Sequence, residues 1–144
     1  MNIILASALA VLVAQFVKIV IFYVGPESHN RHSFLWPAFW MGGFPSTHAA
    51  ILTSTLYTIW KYEGTSLLFG LGVIISLLLL YGLLEDKKRQ ILFNEYFMQS
   101  DDLQLQKMVT EGQLLSFSGH SFPEIIAGGL LGILVGMTMS MWLG

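Results

Sequence analysis

Four apolar runs, separated by short polar or charged connections, constrain this chain more than any other feature. The hydrocarbon core of a bilayer is about 30 Å thick, so a helix that crosses it needs about 20 mostly apolar residues. Stretches of about that length run from Asn2 to Val24, from Ser66 to Leu84 and from Pro123 to Leu143, and a shorter one runs from Pro45 to Trp60. The 144 residues are 54% hydrophobic and 11% charged, more apolar side chain than a soluble domain of this size can hide. The expected fold is therefore all-α: a single domain over residues 1–144, an integral membrane bundle of about four transmembrane helices plus a short interfacial helix.

A net charge of -2 and the absence of any basic field give nucleic acid nothing to bind, so that class of partner is set aside. The absence of cysteine excludes disulfides, thiolate catalysis and thiolate-held metals. His29 and His32 have a spacing that two metal ligands can share, but no further ligands accompany them, and neither a metal nor another cofactor is expected.

The first run carries only Gln15 and Lys18 as polar interruptions, and no basic residue precedes it, which reads as a retained anchor and not a cleaved signal. Gly25-Pro26 breaks that helix, and Phe34, Trp36, Phe39 and Trp40 cluster before the next, as aromatic side chains do at a membrane interface. The second run is rich in hydroxyls (Ser46, Thr47, Thr53, Ser54, Thr55, Thr58), which suits an interior or partly wet helix. Residues 85–119 form the long charged connection, within which Ile91, Leu92, Glu95, Tyr96 and Gln99 fall at helical spacing and predict a short amphipathic helix on the membrane surface. In the last run Gly128, Gly132 and Gly136 recur every fourth residue. Such a stripe lets another backbone approach closely, and a second copy forming a homo-oligomer is one candidate for it.

Four spans bring the 25–43 and 85–119 connections to one side. The strings Gly42-Gly43-Phe44-Pro45-Ser46-Thr47-His48 and Gly119-His120-Ser121-Phe122-Pro123-Glu124 open the second and fourth helices on that side, so His48 and His120 converge. Lys87, Lys88 and Arg89 emerge there too, and Lys18 lies near the matching end of the first span. Arg31, Lys87, Lys88, Arg89 and Lys107 on this side outnumber Lys61 on the other, which assigns the motif side to the cytoplasm, in a cell (inner) membrane.

Two histidines, a carboxylate and several cations around one opening are the parts that phosphoryl transfer needs. Lysines and the N–H groups of two helix N-termini can stabilise the nonbridging oxygens of a phosphate ester, and Lys18, Ser46, Thr47, Lys87, Lys88 and Gly119 are the candidate ligands. One imidazole can attack phosphorus while the other protonates the departing oxygen, and water then releases phosphate from the phosphohistidine. A site at the interface meets lipid headgroups first, so the expected partner is a membrane lipid with a phosphate headgroup.

These strings resemble those of the divergent branch of the type 2 phosphatidic acid phosphatase family, relatives of the vanadium haloperoxidases. Residues 42–50 are similar to that branch's Gly-Gly-Met-Pro-Ser-Ser-His-Ser-Ala, and residues 119–124 to its Gly-His-x-x-x-Glu element. The resemblance covers nearly the whole chain and implies that His48 is the general acid, His120 the nucleophile and Glu124 the carboxylate that orients it. Departures accompany it: the wider family's Lys-x6-Arg-Pro element is not visible, Leu114 stands where that family has an Arg six residues before the nucleophile, and the Asp of the divergent branch's Tyr-Asp-Ala stretch is replaced by Gly82 or displaced to Asp86. Lys87 and Lys88 occupy the region of an arginine pair, as point charges in place of planar forks.

Structural readings stand beside each of these. Ser121-x-x-Glu124 fits a capping box, and Ser46 fits an N-cap. The Lys87–Arg89 cluster suits an interfacial anchor for anionic headgroups. A membrane protein that keeps the scaffold without catalysis, binding anionic lipid or a protein partner, is the alternative to the enzyme, and a small transporter finds little support in spans with so few interior charges.

Overall fold

The computed structural model of the chain describes residues 3–24, 43–110 and 119–143. Arg31, His29, His32, the aromatic cluster from Phe34 to Trp40, and Leu114 lie outside the described residues. Five helices follow one another: α1 (Ile3–Val24), α2 (Thr47–Glu63), α3 (Leu67–Met98), α4 (Leu103–Thr110) and α5 (Phe122–Leu143), with no strand among the described residues.

Local chemistry sets the ends. Ser46 Oγ accepts the Ala49 N–H at 3.3 Å and Ser66 Oγ accepts the Phe69 N–H at 3.2 Å, each satisfying an orphan donor of a helix start. Gly64 ends α2 with φ +65°, its N–H bonded to the Trp60 carbonyl at 2.9 Å. Asp102 Oδ1 caps α4 through the Gln104 N–H at 2.8 Å.

α2 lies at the centre. It runs antiparallel to α1, with Ser54 Oγ donating to the Ala6 carbonyl at 3.2 Å and Ser7 Oγ 2.7 Å from Thr55 Oγ1. Ala6, Ala10 and Ala14 are fully buried along this face of α1, which lets the helices approach closely. α5 runs parallel to α2, and the glycine stripe is the reason: a Cβ on Gly128 would collide with the Ser46 carbonyl, one on Gly132 with the Ala50 carbonyl, and one on Gly136 would sit 2.8 Å from the Tyr57 ring. The face considered for a second copy is thus filled by α2 of the same chain.

Beyond its first residue, Thr47, the hydroxyls of α2 mark an interior helix whose polar groups bond to backbone carbonyls. Thr53 Oγ1 donates within reach of the Ala49 and Gly129 carbonyls, both at 2.9 Å, and Thr55 and Thr58 bond back to the carbonyls of Ile51 and Ser54 at 2.8 and 2.9 Å. Outward, α1, α3 and α5 present large apolar side chains: Leu12, Phe16, Leu78 and Leu130 are all more than half exposed. These three helices are long and apolar enough to cross a membrane, and an outward apolar surface around a hydroxyl-bearing interior is what a lipid solvent selects. The protein is an all-helical membrane protein.

The expected count of about four spans plus a surface helix meets two differences. α2, at 17 residues, is shorter and more polar than the three apolar helices. The third run does not stop at Leu84: α3 continues without a break for 32 residues and absorbs the predicted surface helix. Residues 83–98 contain neither Gly nor Pro, and Glu, Lys, Arg and Gln are good helix formers, so the charges at Glu85–Arg89 end the apolar surface without ending the helix.

Candidate active site

The starts of α2 and α5 are locked together before any reactive group is considered. Gly43 takes φ +84°, a conformation that favours glycine, as the chain turns toward α2. The Ser46 N–H donates to the Glu124 carbonyl at 2.9 Å, and Gly128 lies against the Ser46 backbone. α3 supplies the third wall. A Cβ on Gly119 would collide with the backbone of Asp86 and Lys87, and the His120 N–H donates to the Leu83 carbonyl at 3.0 Å. His120 is therefore held by its main chain on α3 and by its sequence position at the head of α5.

Its side chain is fully buried and bonded at both nitrogens. Nδ1 lies 2.9 Å from Glu124 Oε2, and Nε2 lies 3.2 Å from His48 Nδ1. The rings of His48 and His120 meet edge to face, with centroids 5.4 Å apart at 63°. An ionised carboxylate can only accept, so a neutral His120 carries its proton on Nδ1 and presents the Nε2 lone pair. His48 Nδ1–H then donates to that lone pair. Burial lowers the pKa of His120 from its ordinary value, with Glu124 pulling the other way; the low-dielectric site thus favours the neutral imidazole that a nucleophile requires.

Glu124 also accepts the Ser121 N–H at 3.1 Å. One carboxylate oxygen thus makes both the contact that a cap needs and the contact that an orienting partner needs. Glu124→Gln separates them, because an amide oxygen keeps the cap and loses the charge. The expected result is thermal stability in detergent close to that of the parent with turnover lowered by roughly 10- to 100-fold, the range typical of an outer partner of a reactive group.

The cations divide. Lys18, deep in α1, is only 6% exposed, and its charge bears on His48, His120 and Glu124 together. Lys87 bears on His120. Lys88, named beside it as a phosphate ligand, pairs with Glu85 at 2.7 Å with its side chain 68% exposed, on the surface of α3. Ser46 Oγ is occupied by the cap of α2, whereas Thr47 is fully buried and its Oγ1 has no hydrogen-bond partner among the described residues, which suits an incoming oxyanion. Gly119 contributes close contact with α3. The Leu83 carbonyl and the Asp86–Lys87 backbone were not legible as parts of the site; the glycine immediately before His120 was the one sequence sign that a backbone passes there.

A model described as the divergent PAP2 family matches residues 1–135. No curated protein and no solved structure matches the chain.

Proposed function

We propose that this chain, which belongs to the divergent PAP2 family, is a membrane phosphohydrolase that removes phosphate from a lipid phosphate or diphosphate through a phosphohistidine. The observation that carries the reading is the array Glu124–His120–His48, in which a buried, carboxylate-oriented imidazole directs its Nε2 lone pair at a second imidazole. Phosphate enters between the two rings. His120 Nε2 forms a bond to phosphorus as the bond to the ester oxygen breaks, and protonated His48 gives its proton to that oxygen. Water then attacks the phosphohistidine, His48 takes a proton from it, and phosphate leaves with His120 restored. Lys18, Lys87, the Thr47 hydroxyl and the N-terminal N–H groups of α2 and α5 offset the charge on the nonbridging oxygens.

In this arrangement α2 is the fourth crossing element, enclosed by the other three. Lys87, Lys88, Arg89 and Lys107 follow the apolar part of α3 at the histidine end, against Lys61 at the other, which favours a cytoplasmic site in a cell membrane.

The test is phosphate release by detergent-purified protein from phosphatidic acid, phosphatidylglycerol phosphate and polyprenyl phosphates and diphosphates. Release from at least one supports the reading and ranks the substrates. His48→Ala is expected to lower the rate on the best substrate by roughly 10² to 10⁴, the contribution of a general acid. No release from any lipid by folded protein would move the reading to a scaffold that binds anionic lipid or a protein partner, which the missing arginines favour.

A further inference from the structure

We infer that the seam between α2 and α3 holds the hydrocarbon chain of the substrate and is its route to the histidines from within the bilayer. The inference rests on the phosphatase reading and adds where the tail lies. His120 and Thr47 are fully buried, while His48 is partly exposed. A phosphorus atom bound for His120 Nε2 must therefore pass the ring that covers it, and that ring lines a cavity of about 260 Å³ whose other walls are Ile51, Leu52, Leu79 and Leu83. Ile51 and Leu52 follow His48 by three and four residues, so they share its helix face. Leu79 and Leu83 form the matching four-residue step on α3, and the Leu83 carbonyl holds the His120 main chain. The seam thus runs from a wholly aliphatic stretch into the reactive pair without an intervening polar side chain.

Leu79 is 53% exposed on the outward, apolar surface of α3, so the seam opens sideways toward lipid. A chain lying in it stays in an apolar medium throughout the reaction, and only the phosphate reaches the imidazoles. A second cavity of about 250 Å³, lined by Thr53, Leu56, Tyr57, Trp60, Phe69 and Ile133, has similar volume but no reactive group on its wall, which makes it the internal comparison.

Two measurements test the proposal. Phosphatidic acid carrying a diazirine in its acyl chain is photolysed with the unmodified protein, and adducts are mapped by mass spectrometry. Adducts on Ile51, Leu52, Leu79 or Leu83 support the seam; adducts concentrated at Leu56, Tyr57 and Phe69, or spread over lipid-facing Leu12 and Phe16, overturn it. This readout needs no turnover, so it stands whether or not phosphate is released. Where the protein does release phosphate, Ile51→Trp is expected to lower kcat/KM for phosphatidic acid relative to water-soluble phenyl phosphate by about tenfold, within the range for a mismatch in an apolar pocket. An unchanged ratio in folded Ile51→Trp protein overturns the seam. No release by the parent protein from lipid or phenyl phosphate, together with seam adducts, contradicts the phosphatase reading alone.

Discussion

His120→Ala is expected to leave no phosphate release above background while the protein still inserts and folds. Two consequences of the substitution must be kept apart. The first is chemical: no other described side chain combines burial, an oriented lone pair and a neighbour able to protonate the departing oxygen, so the phosphorus has no acceptor. The second is structural. His120 is fully buried and bonded on both sides, so removing the ring opens a void and takes from Glu124 its imidazole partner. His120→Asn refills part of that space and offers an N–H to the carboxylate without a nucleophilic nitrogen. Loss of activity in both variants, with the asparagine form near parental stability, assigns the loss to chemistry. Turnover surviving in a folded variant removes the nucleophilic role.

A comparably large effect is expected far from any reactive atom. Gly128→Ala should destabilise the bundle by about 1–3 kcal/mol, the usual range for overpacking, and lower activity by roughly 10²-fold through misplacement of the two histidines. The added methyl meets the carbonyl of Ser46, which is main chain and cannot rotate aside. Ser46 begins the helix that carries His48, and its N–H is bonded to the carbonyl of Glu124. A shift of either helix start opens the array. Gly129→Ala is the matched control, since its Cβ would stand 3.6 Å from a Thr53 methyl, an ordinary contact. Thermal unfolding in detergent and phosphate release on the two variants check both halves; equal behaviour would contradict the packing account.

The contrast between these glycines shows what could be read from sequence and what could not. The four-residue spacing of Gly128, Gly132 and Gly136 identified a face built for close approach, because only the absence of a Cβ permits it. Which helix fills that face depends on tertiary placement, and α2 takes it. The hydroxyls of α2 point to an interior helix, and bonds to carbonyls of α1, α2 and α5 account for those of Thr53, Ser54, Thr55 and Thr58 but not for that of Thr47. The continuation of α3 past Leu84 is hidden in the sequence because the change from apolar to charged residues looks like an end, whereas helix propensity persists through Met98. At the site, His48, His120 and Glu124 were legible because two short strings open two helices on one side. The separation of Lys87 from Lys88 was not. Adjacent residues point about 100° apart on a helix, and only the position of Glu85 and of the loop before α5 decides which of them turns to the site.

The most direct measurement is chemical trapping of the intermediate. Protein mixed with a lipid phosphate on which it turns over, quenched in alkali and digested, is searched by mass spectrometry for phosphorylated peptides. The account places a phosphoryl group on His120, absent in His120→Asn and accumulating in His48→Ala if water attack also needs His48. Phosphate release with no phosphohistidine at any time after mixing, or with the phosphoryl group on His48 and not His120, would contradict it.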